Sequence, residues 1–237
     1  MNSSADLALA LRYAPIIHFD ENDTIPLRAV GCTVFRETAP SLSFPKRMIR
    51  VPQGGQCVIE YAYYFDYDIQ HMYDLEHVWV EVGKNGEPIG AEGSFHGKYL
   101  RMLVPQISGT LPPEGTHVHA FCQPGKHAFV AAGDLVRLVP EWYECCNAHA
   151  GGPVLIGNPF CAEYSPTGQD LFIPTREDDE RSVRYIRERL AFQPSLRFRE
   201  ERPPESLYML WEDLFHLIPG WIAKECERLK KRYGEEK

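Results

Sequence analysis

The sequence predicts a mostly β protein: an antiparallel β-sandwich with flanking helices, whose C-terminal helical segment packs on a sheet. Two observations lead to this prediction. Short runs rich in β-branched and aromatic residues recur between residues 30 and 139, and clusters of Pro, Gly and Asn separate them. Apolar residues in the last third instead recur at helical spacing. We expect one domain over residues 1–237, with a β-rich core at about 13–140 and an irregular and helical part at 141–237.

The β-rich part is predicted to follow a short helix at residues 4–12, where leucines alternate with alanines. The next residues are extended, because Pro15 disfavours a helical conformation at Ala14. Asn85-Gly86 lies between two apolar runs and is the strongest hairpin signal in the chain. The predicted strands cover residues 30–35, 56–67, 75–82, 88–93, 117–122 and 128–131.

The character of the sequence changes after residue 140. Residues 149–153 and 158–160 indicate an irregular connection, and helices are predicted at 177–190 and 205–232. The last helix carries a broad apolar stripe that we expect to pack on the sheet, since helices beside sheets bury such a face. Docking of a partner or contact with a membrane surface is the alternative.

The charge balance limits the kinds of partner that this protein binds. The chain has 25 Lys and Arg against 33 Asp and Glu, which gives a formal net charge of -8. Such a balance disfavours a general electrostatic attraction to nucleic acid or anionic lipid. We therefore expect no nucleic-acid partner, and a ligand that is small and either cationic or neutral.

The predicted location is the cytoplasm. Residues 1–6 lack the basic start and apolar stretch of a secretory signal, and no stretch approaches the roughly 18–20 apolar residues of a transmembrane helix. The seven cysteines are odd in number, lie mostly in apolar runs and form no Cys-x-x-Cys pair, which favours reduced structural thiols. For the adjacent Cys145 and Cys146, two unlinked thiols are favoured over a vicinal disulfide or a metal contact.

The segment 61–82 contains the strongest candidate for a functional site. Two strand-like runs surround a short turn, and four potential metal ligands lie in or beside it: Asp68, His71, Asp74 and Glu76. On the second run, Glu76 begins an apolar stripe, where an unsatisfied polar group costs about 1–3 kcal/mol and a charge costs more. Converging carboxylates repel one another, so a bound divalent cation is the economical solution. The alternative is a metal-free acidic turn with hydrogen-bonded or solvated aspartates.

Three more histidines are candidates for additional ligands or for residues that support the ligands: His77, His96 and His127. His77 projects opposite to Glu76 unless a bulge at Leu75 reverses it. His96 and His127 both occupy junctions between a turn and a strand, where functional side chains are often displayed.

The remaining histidines are interpreted as structural. His117 and His119 share a strand face at a spacing that can bind metal, but a sheet face with hydrogen-bonding partners is the favoured interpretation. His18, His149 and His216 have no supporting neighbours in the sequence. The common hydrolase, kinase and dehydrogenase motifs do not occur.

These motifs resemble those of two related groups. The Tyr-Phe-rich run at 61–68 and the following His71-x-x-Asp74-x-Glu76 resemble the core of the NPP1-type necrosis-inducing cytolysins, whose signature is Gly-His-Arg-His-Asp-Trp-Glu. Vps62-type domains show a similar Asp-Trp-Glu-His-Val, a Ser-x-His-(Gly/Ser)-Gly and a Gly-Ser-His-Ala segment. The corresponding segments here are 74–78, 94–97 and 125–128, and the Tyr-Ala-Pro start at 13–15 is similar as well.

The resemblance implies a β-sandwich with flanking helices and a divalent cation in an acidic pocket. In the cytolysins, that pocket holds Ca or Mg and supports recognition of a sphingolipid head group. Asp68, His71, Asp74 and Glu76 would be the corresponding ligands or their water-mediated partners. This chain has Leu75 in place of the signature Trp and lacks a secretion signal, so the resemblance is extended to the fold and metal site and not to cell killing.

Three functions follow from these observations. The preferred one is a metal-binding protein with an oxygen-dominated site for Ca, Mg or Mn, while recruitment of His96 and His127 would shift the preference toward Mn, Fe or Zn. The second is a metal-dependent hydrolase of a small ester or phosphoester, with Glu76 or His127 as general base and His96 polarising the substrate. The third is a lipid or glycan head-group binder with aromatic stacking surfaces, for which the candidates are Tyr63, Tyr67, Trp79 and Tyr99.

Overall fold

The structure is a computed structural model that describes residues 3–44, 46–152 and 175–234. Part of the predicted irregular connection, at 158–160, and the predicted thiol of Cys161 lie outside the described residues.

Two main sheets and one small sheet make up the β structure of the described residues. The four-stranded sheet has the order β10-β9-β1-β11, with β1 at Ile16–Asp20, β9 at His119–Cys122, β10 at Phe129–Val130 and β11 at Phe198–Glu201. The six-stranded sheet has the order β12-β2-β5-β6-β7-β8, with β2 at Leu27–Phe35, β5 at Gly55–Tyr67, β6 at Met72–Gly83, β7 at Pro88–Phe95, β8 at Lys98–Arg101 and β12 at Tyr208–Leu210. The small sheet pairs β3 at Ala39–Pro40 with β4 at Met48–Ile49.

The two main sheets face each other, which confirms the predicted β-sandwich. Aromatic pairs connect them: the ring centroids of Tyr63 on β5 and Phe129 on β10 lie 5.2 Å apart, and those of Phe19 on β1 and Phe65 on β5 lie 6.2 Å apart. Most neighbouring strands are antiparallel, as expected, but β1–β9 and β2–β12 are parallel. Both exceptions join strands that are far apart in the sequence.

The predicted strands and the hairpin at Asn85-Gly86 occur in the structure. The β6 and β7 strands on either side of this turn pair in antiparallel register. The C-terminal part differs from the expectation, because β11 and β12 each add a strand to one of the two main sheets. Short segments of polar or mixed polar and apolar residues form strands by pairing with a neighbouring strand, and the periodicity of the sequence does not predict them.

In the described parts of the chain, four α-helices flank the sheets. They are α1 at Ser4–Arg12, α2 at Glu141–Glu144, α3 at Arg176–Tyr185 and α4 at Trp211–Tyr233. A π-helical turn continues α3 through Ile186–Leu190, and 3₁₀ turns occupy Gly133–Leu138 and Glu205–Leu207. The predicted helix at 4–12 is confirmed. The predicted helix at 205–232 begins later, because residues 208–210 pair with β2 as β12.

The apolar stripe of α4 packs on the six-stranded sheet, as predicted. Leu214, Ile218 and Ile222 of this helix are fully buried. Gly31 on β2 allows the close approach, since a Cβ atom there would lie 2.8 Å from Trp211 Cε3 and 3.0 Å from Leu214 Cδ2. No helix in the described parts of the chain is both long and apolar enough to cross a membrane.

We predict that Gly31→Ala destabilises the fold by about 1–3 kcal/mol, because the added methyl group overpacks the contact between β2 and α4. Urea denaturation followed by circular dichroism measures the free energy of unfolding. Gly220→Ala is the matched control: Gly220 lies within α4 and a Cβ atom there meets nothing within 4 Å. Alanine at this helical position should stabilise the protein by about 0.5–1 kcal/mol. A Gly31→Ala protein as stable as the parent would contradict the described packing.

Candidate functional site

The β5–β6 hairpin places the predicted acidic residues at one end of the sandwich. In its register, Phe65 lies opposite Asp74 and Tyr63 lies opposite Glu76. Since β6 begins at Met72, Asp74 and Glu76 are two residues apart on one strand and share a face. That face is turned toward the four-stranded sheet, because the Phe65 ring stacks on His127 with centroids 3.9 Å apart.

Asp68 organises the turn between the two strands. Its Oδ1 accepts hydrogen bonds from the backbone N–H groups of Gln70 and His71, both at 2.6 Å, and the carboxylate is buried. Because β5 ends at Tyr67, the turn and not the strand sets the direction of the Asp68 side chain.

His71 lies beside Asp68 in the same turn. Its Nε2 is 3.1 Å from Asp68 Oδ2, and its Nδ1 is 2.9 Å from the carbonyl oxygen of Tyr73. With a proton on Nδ1, the imidazole donates to that carbonyl while Nε2 faces the Asp68 carboxylate.

The turn is fastened to the loop between β9 and β10. The backbone N–H of Ile69 donates to the carbonyl of Gly125 at 2.7 Å, and the Gly125 N–H donates to Asp23 Oδ2 at 2.8 Å. Gly125 has φ of +67°, in the left-handed region that favours glycine, and a Cβ atom there would lie 2.8 Å from Ile69 Cβ and 3.0 Å from Cys146 Sγ. The loop therefore holds its next two residues, Lys126 and His127, over the hairpin.

Lys126 was not singled out from the sequence, and it contacts the site directly. Its ammonium group forms an ion pair with Asp68 Oδ2. Burial alone would lower the pKa of Lys126, but the charges of Asp68 and Asp74 outweigh it and raise the pKa. Lys126 stands where the resembled Gly-Ser-His-Ala motif has serine, and this substitution is the signal that could have identified it.

His127 lies within this site and is fully buried. Its Nδ1 is 3.1 Å from Asp74 Oδ2 and its Nε2 is 3.7 Å from Asp23 Oδ2. Burial alone would lower the pKa of His127, but the hydrogen bond to Asp74 and the nearby carboxylates raise it. Burial likewise opposes ionisation of Asp74, and the contacts with His127 reverse this effect and lower the pKa of Asp74. Both shifts favour the imidazolium form of His127 and the carboxylate form of Asp74.

Among the residues that the structure describes, Glu76 has no cationic partner of this kind. Ser94 Oγ donates a hydrogen bond to its Oε2. Burial, and after it the charge of Asp74, raise the pKa of Glu76 well above its ordinary value of 4.5. We call the four carboxyl groups that meet here the acidic cluster: Asp23, Asp68, Asp74 and Glu76.

The other two predicted supporting histidines lie away from the acidic cluster. His77 points to the opposite face of β6, as expected, where its Nε2 is 2.9 Å from Ser43 Oγ and burial lowers its pKa to about 3. His96 is exposed, and its Nε2 is 2.8 Å from Gln123 Oε1. Gln123 in turn accepts, through its backbone carbonyl, a hydrogen bond from the His127 N–H at 2.9 Å. His96 is therefore connected to His127 only through Gln123.

Backbone strain accompanies the site. Tyr73 and His127 have φ of 45° and 56°, in a region that side chains other than glycine rarely adopt. Each such residue costs about 1–3 kcal/mol and persists only where its surroundings impose the conformation. The hairpin and the loop therefore hold Asp74 and His127 in a fixed arrangement.

The donor atoms of the acidic cluster suit a hard divalent cation. Carboxylates with one imidazole are typical ligands of Ca²⁺, Mg²⁺ or Mn²⁺. Within the described residues, however, no three ligand atoms of this cluster lie within 4.8 Å of one another. A cation here would require these side chains to move closer together and the ammonium of Lys126 to leave Asp68.

A second group of potential ligands was missed. Within residues 3–44, 46–152 and 175–234, His18, His119 and Glu200 form the group of three whose ligand atoms all lie within 4.8 Å of one another. The prediction that His18 has no supporting neighbours is wrong, because its Nε2 lies 2.8 Å from His119 Nδ1. The parallel pairing of β1 with β9 creates this contact, and sequence spacing does not reveal it. His117, before β9, instead has its Nδ1 2.7 Å from the carbonyl of Ala14.

No family model and no curated protein matches this chain. Among solved structures, the chain is similar to one described as NLPPya in complex with glucosamine, at 19% identity and a TM-score of 0.36, covering 55% of this chain and 69% of that chain. It is also similar to "Toxin fold for microbial attack and plant defense", at 19% identity and a TM-score of 0.35, covering 54% of this chain and 70% of that one. These structures are of NPP1-like necrosis-inducing proteins, the group that the sequence motifs resemble.

We predict opposite effects for two substitutions in the acidic cluster when divalent cations are removed with a chelator. Asp74→Asn leaves the imidazolium of His127 buried without its carboxylate and should destabilise the protein by about 3–5 kcal/mol at pH 6. Glu76→Gln replaces a carboxyl group that already favours its neutral form and should be as stable as the parent or more stable. Urea denaturation measures both.

The pH dependence separates the two residues further. A carboxyl group with a raised folded pKa loses stability as pH rises above its unfolded value, so the parent should become less stable above about pH 4.5 through Glu76. The lowered folded pKa of Asp74 has the reverse sign, so its contribution is lost as pH falls. If the free energy of unfolding depends on pH in the same way in the parent and in Glu76→Gln, burial and the neighbouring carboxylates do not oppose ionisation of Glu76.

Proposed function

We propose that the protein binds a divalent cation, Ca²⁺, Mg²⁺ or Mn²⁺, at the acidic cluster, and through it a small polar ligand. The carrying observation is that Asp74 and Glu76 share one face of β6 beside the Asp68 turn, where burial and then Asp74 raise the pKa of Glu76. A cation with two charges would let Glu76 ionise beside Asp74 and Asp68. Oxygen donors with one imidazole, His71, match the preference of hard cations.

The ammonium group of Lys126 competes with a cation for the position beside Asp68. This ammonium neutralises Asp68, and a divalent cation and an ammonium repel each other by about 8 kcal/mol at 4 Å and an effective dielectric constant of 20. The Lys126 side chain is 13% exposed and the His71 side chain is 18% exposed, so this edge of the site reaches solvent. Cation binding should therefore displace the Lys126 ammonium into water.

The two candidate general bases, His127 and Glu76, are poorly suited to accept a proton, which favours a binding function over hydrolysis. His127 has a raised pKa, is fully buried and is paired with Asp74, so it is poorly placed to accept a proton from a substrate water. Glu76 is itself a proposed ligand of the cation, so its carboxylate is not free to act as a general base. His96 lacks direct contact with either residue. We propose a binding protein for these reasons.

The ligand of the cation is proposed to be a polar head group bound through charge and hydrogen bonds. Three of the aromatic residues considered as stacking surfaces, Tyr63, Tyr67 and Trp79, are buried and offer no such surface. Tyr99 is 49% exposed, but it packs with Arg47 and Trp79 on the opposite face of the sheet. Glucosamine, the ligand named for one of the similar structures, is a suitable probe because its ammonium and hydroxyl groups complement a negative, cation-bearing site.

We predict that Lys126→Ser binds Ca²⁺ or Mg²⁺ at least about 10-fold more tightly than the parent, because the competing internal charge is gone. Asp74→Asn should bind at least about 10-fold more weakly. Isothermal titration calorimetry measures both, and Lys84→Ser, at an exposed turn lysine, is the matched control with unchanged affinity.

The same titrations decide the proposal. Cation affinity that is unaffected by Lys126→Ser and by Asp74→Asn would place any bound cation elsewhere and refute the site. Glucosamine should add a binding signal in the presence of Ca²⁺ and lose it with a chelator. A glucosamine signal that persists with the chelator would refute the role of the cation in ligand binding.

A further inference from the structure

We propose that His18, His119 and Glu200 form a binding site for a late first-row divalent cation, of which Zn²⁺ fits best. The site is separate from the acidic cluster. Phe19 on β1 contacts Phe65 in the sandwich interior, so its neighbour His18 points to the opposite, outer face of the four-stranded sheet.

Three adjacent strands supply the three side chains. His18 lies on the central strand β1, directly opposite Glu200 on β11. On the other side, His18 lies opposite Phe121 on β9, and His119 is two residues before Phe121 and therefore on the same face. Strand pairing thus brings His119 and Glu200, which lie about 100 and 180 positions after His18 in the sequence, to the same face of the sheet in a fixed register.

The imidazoles are oriented before any ion binds. His18 and His119 are buried, with 7% and 8% of their surface exposed. The His18 ring stacks on Phe121 with centroids 4.3 Å apart, and its Nε2 lies 2.8 Å from His119 Nδ1. Two ring nitrogens that face each other can share one proton, or they can direct their lone pairs at one cation.

The distances suit zinc after a small adjustment. Zn–N bonds of about 2.0–2.1 Å in a tetrahedral site place two nitrogens about 3.3 Å apart, so the rings must separate by about 0.5 Å. Glu200 is exposed and supplies the negative third ligand, in competition with Arg202, whose Nε lies 3.3 Å from Glu200 Oε1. Exposure of Glu200 leaves a fourth position open to water. Two imidazoles and one carboxylate favour Zn²⁺ over Ca²⁺ or Mg²⁺.

Calorimetric titration with ZnCl₂ in excess Mg²⁺ tests this site, since the excess Mg²⁺ competes at the acidic cluster. The parent protein should bind Zn²⁺, and both Glu200→Gln and His119→Gln should weaken this binding at least about 10-fold. Glu200 is exposed, so Glu200→Gln should fold normally, and circular dichroism checks both variants. His216→Gln, at an exposed histidine on α4, is the matched control with unchanged affinity.

Two results would overturn the assignment. One is a parent protein that does not bind Zn²⁺ under these conditions. The other is Zn²⁺ binding that Glu200→Gln leaves unchanged, because that variant removes a ligand without disturbing the buried histidines. If the acidic cluster does not bind a cation, the zinc test is unaffected, since the two sites share no residue.

Discussion

Negative charge buried at the end of the β5–β6 hairpin is the constraint on which the rest of the site depends. Asp68 and Asp74 remain there because an ammonium and an imidazolium, from Lys126 and His127, come from the opposite sheet. Removing one partner of such a pair costs far more than the pair contributes, because the other charge stays buried. Among the described residues, Glu76 has no such partner, and a bound cation would supply the positive charge beside it.

The same contacts connect the two sheets. The hairpin belongs to the six-stranded sheet, whereas Lys126 and His127 lie between two strands of the four-stranded sheet. Backbone hydrogen bonds through Ile69 and Gly125 fix the hairpin against this loop. The ion pairs therefore act as cross-links at one end of the sandwich, and the left-handed backbone of His127 is maintained by them. A cation that displaces Lys126 would remove one cross-link and replace it with its own bonds.

Local patterns in the sequence predicted what is local in the structure. The helix at Ser4–Arg12, the turn at Asn85-Gly86 and the shared face of Asp74 and Glu76 follow from periodicity over a few residues. Contacts between distant segments were not predictable in this way. The pairing of β1 with β9 brings His18 to His119, and β11 and β12 enter the sheets from the part of the chain expected to be irregular and helical. The position of Lys126 depends equally on how one loop lies over another, and strand phase contains no such information.

The ionisation of Glu76 tests the central claim most directly. Carboxyl ¹³C chemical shifts of Glu76, followed by NMR during a pH titration, report its pKa with and without Ca²⁺. We expect this pKa to lie well above 4.5 in the metal-free protein and to fall when Ca²⁺ is added, because the cation supplies the missing positive charge. A Glu76 pKa near 4.5 that Ca²⁺ leaves unchanged would contradict both the uncompensated charge and the proposed cation site.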